Sequence, residues 1–397
     1  MESHLFDFDV NTDPQGFLVD LGSLYDHLST LTDCRHARGK RYALVTVLVF
    51  VVLAKLAGED RLAGIAEWIA LRKERLAEAL HLMKPRAPHL STYSRILGHV
   101  VQVEEFEETV RRFFATQPGA GQSIAIAIDG KTLRGTIRAG QTQGLHLLAA
   151  YLPQEGWVLM QVTVSGRGNE ISVAPQMLKC LDLRGKVITG DALLAQRELS
   201  AQIVAAGGEY VWTVKDNQAQ LRQDIATLFE PEKTVKGFSA GTKDFRRAEQ
   251  IDKGHGRLEQ RTLTVSAELK GYLDWPGAEQ VFQLDRRVVR LADGQISEET
   301  VYGVTSLTAE EAGPKRLQEL VRQHWAIENG LHYRRDETLR EDWCHLRQGQ
   351  AARVMATINN LVLGMLLTRG IRNVPQARRR LEAYPGEALR LVLGSPA

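Results

Sequence analysis

The sequence predicts a mixed α/β chain, and three observations predict it. Residues up to about 118 carry helical periodicity with no strand pattern, residues 119–230 alternate apolar strands with helices, and residues 231–309 hold short β-like runs divided by Gly and Pro. At 397 residues the chain can hold two or three domains, and 44% hydrophobic with 25% charged residues is an ordinary globular balance. Its formal charge of +2 does not announce a polyanionic partner, so such a partner has to be argued from local clusters. Cys34, Cys180 and Cys344 are scattered, which argues for a reducing compartment and against a disulfide frame or a structural zinc site. The amino terminus carries Glu2, Asp7 and Asp9 where a secretion signal would be basic, and the apolar run 42–54 falls short of the roughly 20 residues that span a bilayer. A cytoplasmic protein with no membrane partner is expected.

In chain order, helices are expected after Tyr42, over 62–71 and over 104–114. Just before the first lie Arg35, Arg38, Lys40 and Arg41, four positive charges in residues 35–41 without an acid. Such a cluster can neutralise phosphates, and it can equally be a solvated loop. Residues 88–95 open a further helix whose hydroxyl-rich first turn could offer amides to a backbone phosphate.

After a linker over 117–121 comes an apolar strand, 124–128, ending at Asp129 and followed by Gly130 and Lys131. A buried strand with a carboxylate at its end is where an open α/β sheet places chemistry, although Asp-Gly is also a common turn pair. Strands over 145–151 and 157–164 suggest an antiparallel meander. A helix capped by Asn169 follows, then a second strand ending in an acid, 186–191, a helix over 196–206, a strand over 209–215 and a helix over 218–229.

Three strands, then helix, strand, helix, strand, helix is the order of a ribonuclease-H-like sheet, in which the first and fourth strands are neighbours. Adjacent strands lie about 4.8 Å apart, so acids at their matching ends can share a metal ion. Asp129 and Asp191 meet that requirement. Lys131 and Lys215 point to the same sheet edge, as phosphate ligands or as ordinary surface lysines.

The β-like stretch reads as an all-β insertion placed after the core sheet is complete, with strands over 261–265, 281–284, 287–291 and 299–304. His255, Arg257 and Arg261 there could follow a DNA backbone. Beyond Pro314 a helical pattern carries His324, Glu328, His332 and Arg335, which share one stripe at 100° per residue. An acid among basic groups on that stripe could complete a metal site and hold phosphates, and a surface helix laced with charge pairs gives the same pattern. Asp336, Glu341 and Asp342 remain rivals for a third acid on spacing alone.

The chain as a whole resembles the H-repeat-associated, ISAs-type family of DDE insertion-sequence transposases. The resemblance runs over roughly residues 20–370. It is carried by Arg38-Gly39-Lys40-Arg41-Tyr42, Ala63-Gly64-Ile65-Ala66-Glu67-Trp68, Ile128-Asp129-Gly130-Lys131, Asn169-Glu170-Ile171, Thr189-Gly190-Asp191-Ala192, Lys215-Asp216-Asn217-Gln218 and His324-Trp325-Ala326-Ile327-Glu328-Asn329 through Leu331-His332. It implies that Asp129, Asp191 and Glu328 are the catalytic, metal-holding triad, with Glu328 taken over Asp336. It implies two Mg2+ or Mn2+ ions per site when DNA is bound, and double-stranded DNA as partner, both as terminal inverted repeats and as target.

The implied activity is cleavage and strand transfer at element ends by a nucleoid-associated enzyme, and a homodimer on paired ends is left open. The alternatives are a non-cutting domesticated DNA-binding protein and a stand-alone ribonuclease-H-like nuclease. Phosphate-binding candidates are Lys131, Lys215, His324, His332, Arg335, Arg38, Lys40, Arg41 and Arg257. Related enzymes hold a flipped base on an aromatic ring, for which Trp275, Trp325 and Trp212 are available. One departure is Arg335, where family members often have an apolar residue.

The expected domains are a helical, DNA-binding 1–118, a core over 119–230, the insertion 231–309, a return to the core over 310–370 with the third acid, and a basic tail over 371–397.

Overall fold

The computed structural model describes residues 22–164, 168–230, 244–254 and 256–394. The acidic amino terminus and His255 lie outside them. Among the described residues no helix is long and apolar enough to cross a membrane.

Helices α1 (Leu24–Ser29), α2 (Leu44–Leu56), α3 (Leu62–Leu71), α4 (Lys73–Ala79), α5 (Leu90–His99) and α6 (Val103–Ala115) come first. Strands β1 (Ala125–Leu133), β2 (Leu145–Leu152) and β3 (Trp157–Val164) follow, then α7 (Glu170–Lys179), β4 (Val187–Gly190), α8 (Arg197–Ala205), β5 (Glu209–Val214) and α9 (Ala219–Phe229). Next are β6 (Arg246–Gly254), β7 (Arg257–Ser266), β8 (Gln280–Arg290), β9 (Ile296–Thr305) and α10 (Pro314–Ala326). The chain closes with α11 (Ala351–Leu367), α12 (Val374–Ala383) and α13 (Pro385–Leu393). The strands form one mixed sheet in the order β3-β2-β1-β4-β5-β9-β8-β7-β6. Its first five positions are the ribonuclease-H-like arrangement, with β4 parallel to both β1 and β5.

The described residues divide into two compact units, a helical unit drawn from the ranges 1–122, 131–163 and 328–397 and a sheet unit drawn from 123–130 and 164–327. In the helical unit α2 is apolar around its circumference but for Thr46 and Lys55 and is buried along nearly its whole length; α11 is buried along most of its length too, though it carries Arg353, Asn359 and Asn360. A helix without a polar face has to be a central one. Lys55 of α2 is buried as well, and its ammonium meets Asp60 at 3.0 Å. Arg378 of α12 closes on the same Asp60 at 2.7 Å and donates to the Lys55 carbonyl. The stretch expected as a basic tail is therefore two folded helices, because Arg378 has an internal acid and α12 and α13 bring Val374, Leu381 and Val392 into the core.

In the sheet unit, Leu317, Leu320 and Val321 of α10 pack on Val187, Val211, Leu263, Val265 and Phe282 of the sheet. Burial of side chains of this size contributes about 1.5–3 kcal/mol each. The β-rich stretch differs from expectation in two ways. Its strands continue the sheet instead of following a finished one, since β9 pairs antiparallel with β5 and carries β8, β7 and β6 beyond it. The runs expected at 281–284 and 287–291 are one strand, β8, whose polar Asp285 and Arg286 face Thr262 and Arg261 across the ladder. β6, with alternating exposure and mostly polar residues, carries no strand signal of its own.

Candidate active site

β1 is apolar from Ala125 to Ile128 because both its faces are covered, and it runs on past Asp129 to Leu133. Its ladder with β4 ends where Ile128 pairs with Gly190. Asp129 and Asp191 are thus the next residues on two parallel neighbours, at the carboxyl end of the paired segment. Gly190 has a steric reason, since a Cβ there would come within 2.6 Å of the Trp212 ring. Trp212 itself is fully buried and donates its indole N–H to Ser200.

Asp191 is half-buried. Its Oδ1 accepts from the backbone N–H groups of Leu193 at 3.0 Å and Leu194 at 3.4 Å. Burial pushes its carboxyl above the usual aspartate range, the negative charges of Asp129 and Glu170 push it further, and the two amides only partly offset them. A carboxylate crowded by like charges gains most from an added cation. Glu170, the first residue of α7 beside its cap Asn169, is visible in the sequence only as part of a motif. The loop after Asp191 is held from β5's exit: Asn217 Nδ2 donates to the Ala192 carbonyl at 2.5 Å, and Gln218 Nε2 to that of Ala195 at 3.0 Å. Their positions in Lys215-Asp216-Asn217-Gln218 are the signal, but no spacing rule states which loop they hold. Lys215 is exposed at the end of β5.

The third candidate sits on different backbone. After α10 the chain winds as π-helix over Ile327–His332 and again over Arg334–Thr338. With i→i+5 bonds each residue turns less than 100°, so the single stripe of His324, Glu328, His332 and Arg335 does not form. Glu328 is exposed. His324 is buried with Nδ1 3.4 Å from the Thr189 hydroxyl, and His332 is half-buried.

Arg335 corrects the phosphate-contact expectation. It is fully buried, its Nε donates to Glu341 Oε2 at 2.9 Å, and Nη2 lies 2.8 Å from the same oxygen. The position is a core one, which fits the apolar residue that the family resemblance implies there, and here Glu341 compensates the cation. Asn359 of α11 donates to the other Glu341 oxygen at 2.8 Å. Burial pushes the Glu341 carboxyl up, but Arg335, Asn359 and Lys131 outweigh it and hold it below its ordinary value.

Lys131 is also directed inward. It is 8% exposed and its ammonium lies 2.5 and 2.6 Å from the two oxygens of Asp336. The rival acids Asp336 and Glu341 are thus each held by an internal cation, and the Asp342 carboxylate accepts from the Arg134 backbone N–H.

Arg38, Lys40 and Arg41 are exposed, as is Arg257, while Arg261 is tied to Asp252 at 2.7 Å and Glu259 at 2.8 Å. Of the three tryptophans named as stacking candidates, Trp212 and Trp275 are core residues and Trp325 is 45% exposed, so among the three Trp325 is the one able to stack on a base. Among the described residues no three His, Cys, Asp or Glu side chains form a group able to hold a metal. What the sheet unit presents is the carboxylate pair with Glu170 near it, and hard carboxylate oxygens in that electrostatic setting fit Mg2+ or Mn2+.

The strand order and the paired acids define a ribonuclease-H-like protein. The model of the transposase DDE domain matches residues 120–365, and a DDE_Tnp_1-associated model matches residues 25–114. The chain belongs to the DDE-domain transposase family. It is 27% identical over 357 residues to the "H repeat-associated putative transposase YhhI" of Escherichia coli K12, covering 88% of this chain and 91% of that protein. It is 29% identical over 357 residues to the "Putative transposase YncI" of Escherichia coli O157:H7, covering 88% of each. An "Uncharacterized protein in dhlA 3'region" of Xanthobacter autotrophicus is 31% identical over 280 residues, 70% of this chain and 91% of that protein. A cryo-EM structure of a piggyBac transposase synaptic complex with hairpin DNA aligns at a TM-score of 0.42 and 12% identity over 94% of this chain and 80% of that chain, a likeness too distant to carry weight.

Proposed function

We propose that this protein is a metal-dependent DNA transposase that cuts at the ends of an insertion sequence and joins the freed strand to target DNA. The observation that carries the reading is the register of β1 and β4, with Asp129 and Asp191 following paired residues and the Asp191 carboxyl raised in part by its neighbour's charge. Asp129 and Asp191 would hold Mg2+ or Mn2+ ions, and Glu328 is the third acid on the strength of its His324-to-His332 motif. When bound, such ions polarise a phosphodiester and lower the pKa of an attacking hydroxyl.

This chain's own residues orient the substrate. The amides of Leu193 and Leu194 fix the Asp191 carboxylate, and Asn217 and Gln218 hold the loop that bears those amides. Lys215, exposed at the exit of β5, is the phosphate ligand of the same sheet edge. No covalent protein nucleophile is needed. Double-stranded element ends and target DNA are the substrates, and the expected domains over 1–118, 119–230, 231–309 and 310–370 divide end recognition from catalysis. A homodimer bringing two ends together belongs to the same proposal.

The test is incubation of the purified protein, with magnesium, on duplexes carrying the inverted repeats that flank its gene. Nicking at the repeat boundary and joining to a second duplex are expected; cleavage without joining would leave a nuclease. A non-cutting DNA-binding descendant is the second reading, favoured by the lack of a three-carboxylate cluster among the described residues. End binding with no metal-dependent nicking would establish it.

A further inference from the structure

Two stretches of the helical unit contain no Asp or Glu, residues 34–58 and residues 79–103. Each supplies an exposed loop. In the first, Arg38, Lys40 and Arg41 surround the 3₁₀ turn Ala37–Gly39 and are exposed. Arg35 behaves differently: it is clamped to Asp33 at 2.7 Å and donates to the Tyr42 carbonyl, so it shapes the loop and occupies the nearby carboxylate, whose charge Lys40 feels without pairing to it.

The second loop joins α4 to α5. It exposes Lys84 and Arg86, and Met83 beside them is 98% exposed. Backbone bonds from Leu82 N–H to Ala77 and from Arg86 N–H to Lys84 keep the loop turned. The Tyr42 hydroxyl then donates to the Ala87 carbonyl at 2.9 Å, which sets the two loops side by side although 45 residues separate the partners. Among the described residues none of the five cations makes an ion pair.

Single exposed apolar side chains are common and prove nothing alone. Here the exposed methionine immediately precedes Lys84, Pro85 and Arg86, a juxtaposition of apolar wedge and basic grips of the kind minor-groove proteins use. An anionic membrane would also attract the charge, but one methionine offers little of the apolar face that interfacial anchoring needs. We propose that the two loops form one duplex-DNA contact, in which Arg38, Lys40, Arg41, Lys84 and Arg86 take backbone phosphates and Met83 wedges into a base step from the minor groove. The inference deepens the proposed function by naming where duplex is gripped, and rests on it only for the choice of DNA as the polyanion.

The test uses the full-length protein, a short fluorescein-labelled duplex and the same duplex carrying 2-aminopurine. Every phosphate that a side chain neutralises adds about 0.9 to the steepness of log K against log salt. A variant combining Lys40→Ala, Arg41→Ala, Lys84→Ala and Arg86→Ala is expected to flatten that slope by roughly 3 to 4 units. Met83→Ala should leave the slope unchanged and abolish the 2-aminopurine fluorescence rise, and Met83→Leu should retain that rise. All five sites are exposed, and matched melting temperatures confirm intact folding.

An unchanged slope in the combined variant overturns the grip, and an unchanged 2-aminopurine signal in Met83→Ala overturns the wedge. Wild-type binding to phosphatidylserine vesicles but not to duplex overturns both. Wild type that binds with the expected slope yet never cuts refutes the catalytic reading alone. Wild type that cuts while the combined variant keeps its slope refutes this inference alone.

Discussion

The acids of the sheet unit and those of the helical unit keep opposite company. Asp191 is half-buried with Asp129 and Glu170 as its charged influences and accepts hydrogen bonds from neutral amides. Asp336 is clasped by Lys131, and Glu341 is clasped by Arg335 and Asn359. A carboxylate with an internal cation has its charge answered from within and serves the fold, even where burial still leaves it above its ordinary range, as it does for Asp336. One pressed by like charges is stabilised by whatever cation arrives from solution, which is the property a metal ligand needs. Sequence spacing alone does not separate the two kinds of acid, and their surroundings do.

The largest expected effect tests the first half of this contrast. Asp129→Asn, Asp191→Asn and Glu328→Gln should each lower magnesium-dependent cutting by roughly 10⁴-fold or more, the scale for losing one member of a catalytic constellation. A gel assay that finds undiminished cutting by any of them removes that residue.

The second half is tested by stability. Arg335→Met leaves Glu341 buried without its cation and should cost about 3–5 kcal/mol in urea unfolding, while adding Glu341→Leu should restore most of it. A loss under about 1 kcal/mol would place the pair among weakly coupled surface ion pairs and break the contrast.

A smaller effect sharpens it. Mn2+ at one hundred times its Kd should stabilise the wild-type protein by about 2.7 kcal/mol through binding to the folded state. Asp191→Asn should remove that gain, and Asp336→Asn should keep it. Calorimetric scans with and without metal decide the matter.

The smallest effect is in pH. The Asp191 pKa is raised on folding from its ordinary value of 3.8, so in the window just above 3.8 the folded state holds a proton that the unfolded chain has released. Its contribution to stability therefore falls as pH rises through that window. In metal-free buffer Asp191→Asn should remove the fall and melt higher than wild type at neutral pH. Glu341, lowered from 4.5, has the opposite sign, contributing stability above that value that is lost as the solution is acidified.

Much of this was readable from the chain. The apolar run 124–128 before Asp129 and the short β-branched stretch before Asp191 were both read as buried strands, and the bounds expected for α3 are those observed, Leu62–Leu71. The family was readable as well, because its motifs occur in order along the chain. The helical stripe was not readable, because periodicity assumes 100° per residue and the segment after α10 is π-helical. Four polar-rich strands read as an insertion beyond a finished sheet because β6 and the middle of β8 lack apolar alternation. Ladder hydrogen bonds to neighbours, and not side-chain pattern, make them strands.

By itself the sequence determined where the apolar part of each core strand stops and in what order the elements come, since both follow from local covering and chain direction, although β1 runs on past Asp129 to Leu133. Only the tertiary structure decided which charges meet. Arg335 and Lys131 looked like phosphate ligands until burial gave them Glu341 and Asp336, and Arg38, Lys40, Arg41, Lys84 and Arg86 remain turned to solvent. Charge pairing is a matter of distance in space and of desolvation, and neither is written along the chain.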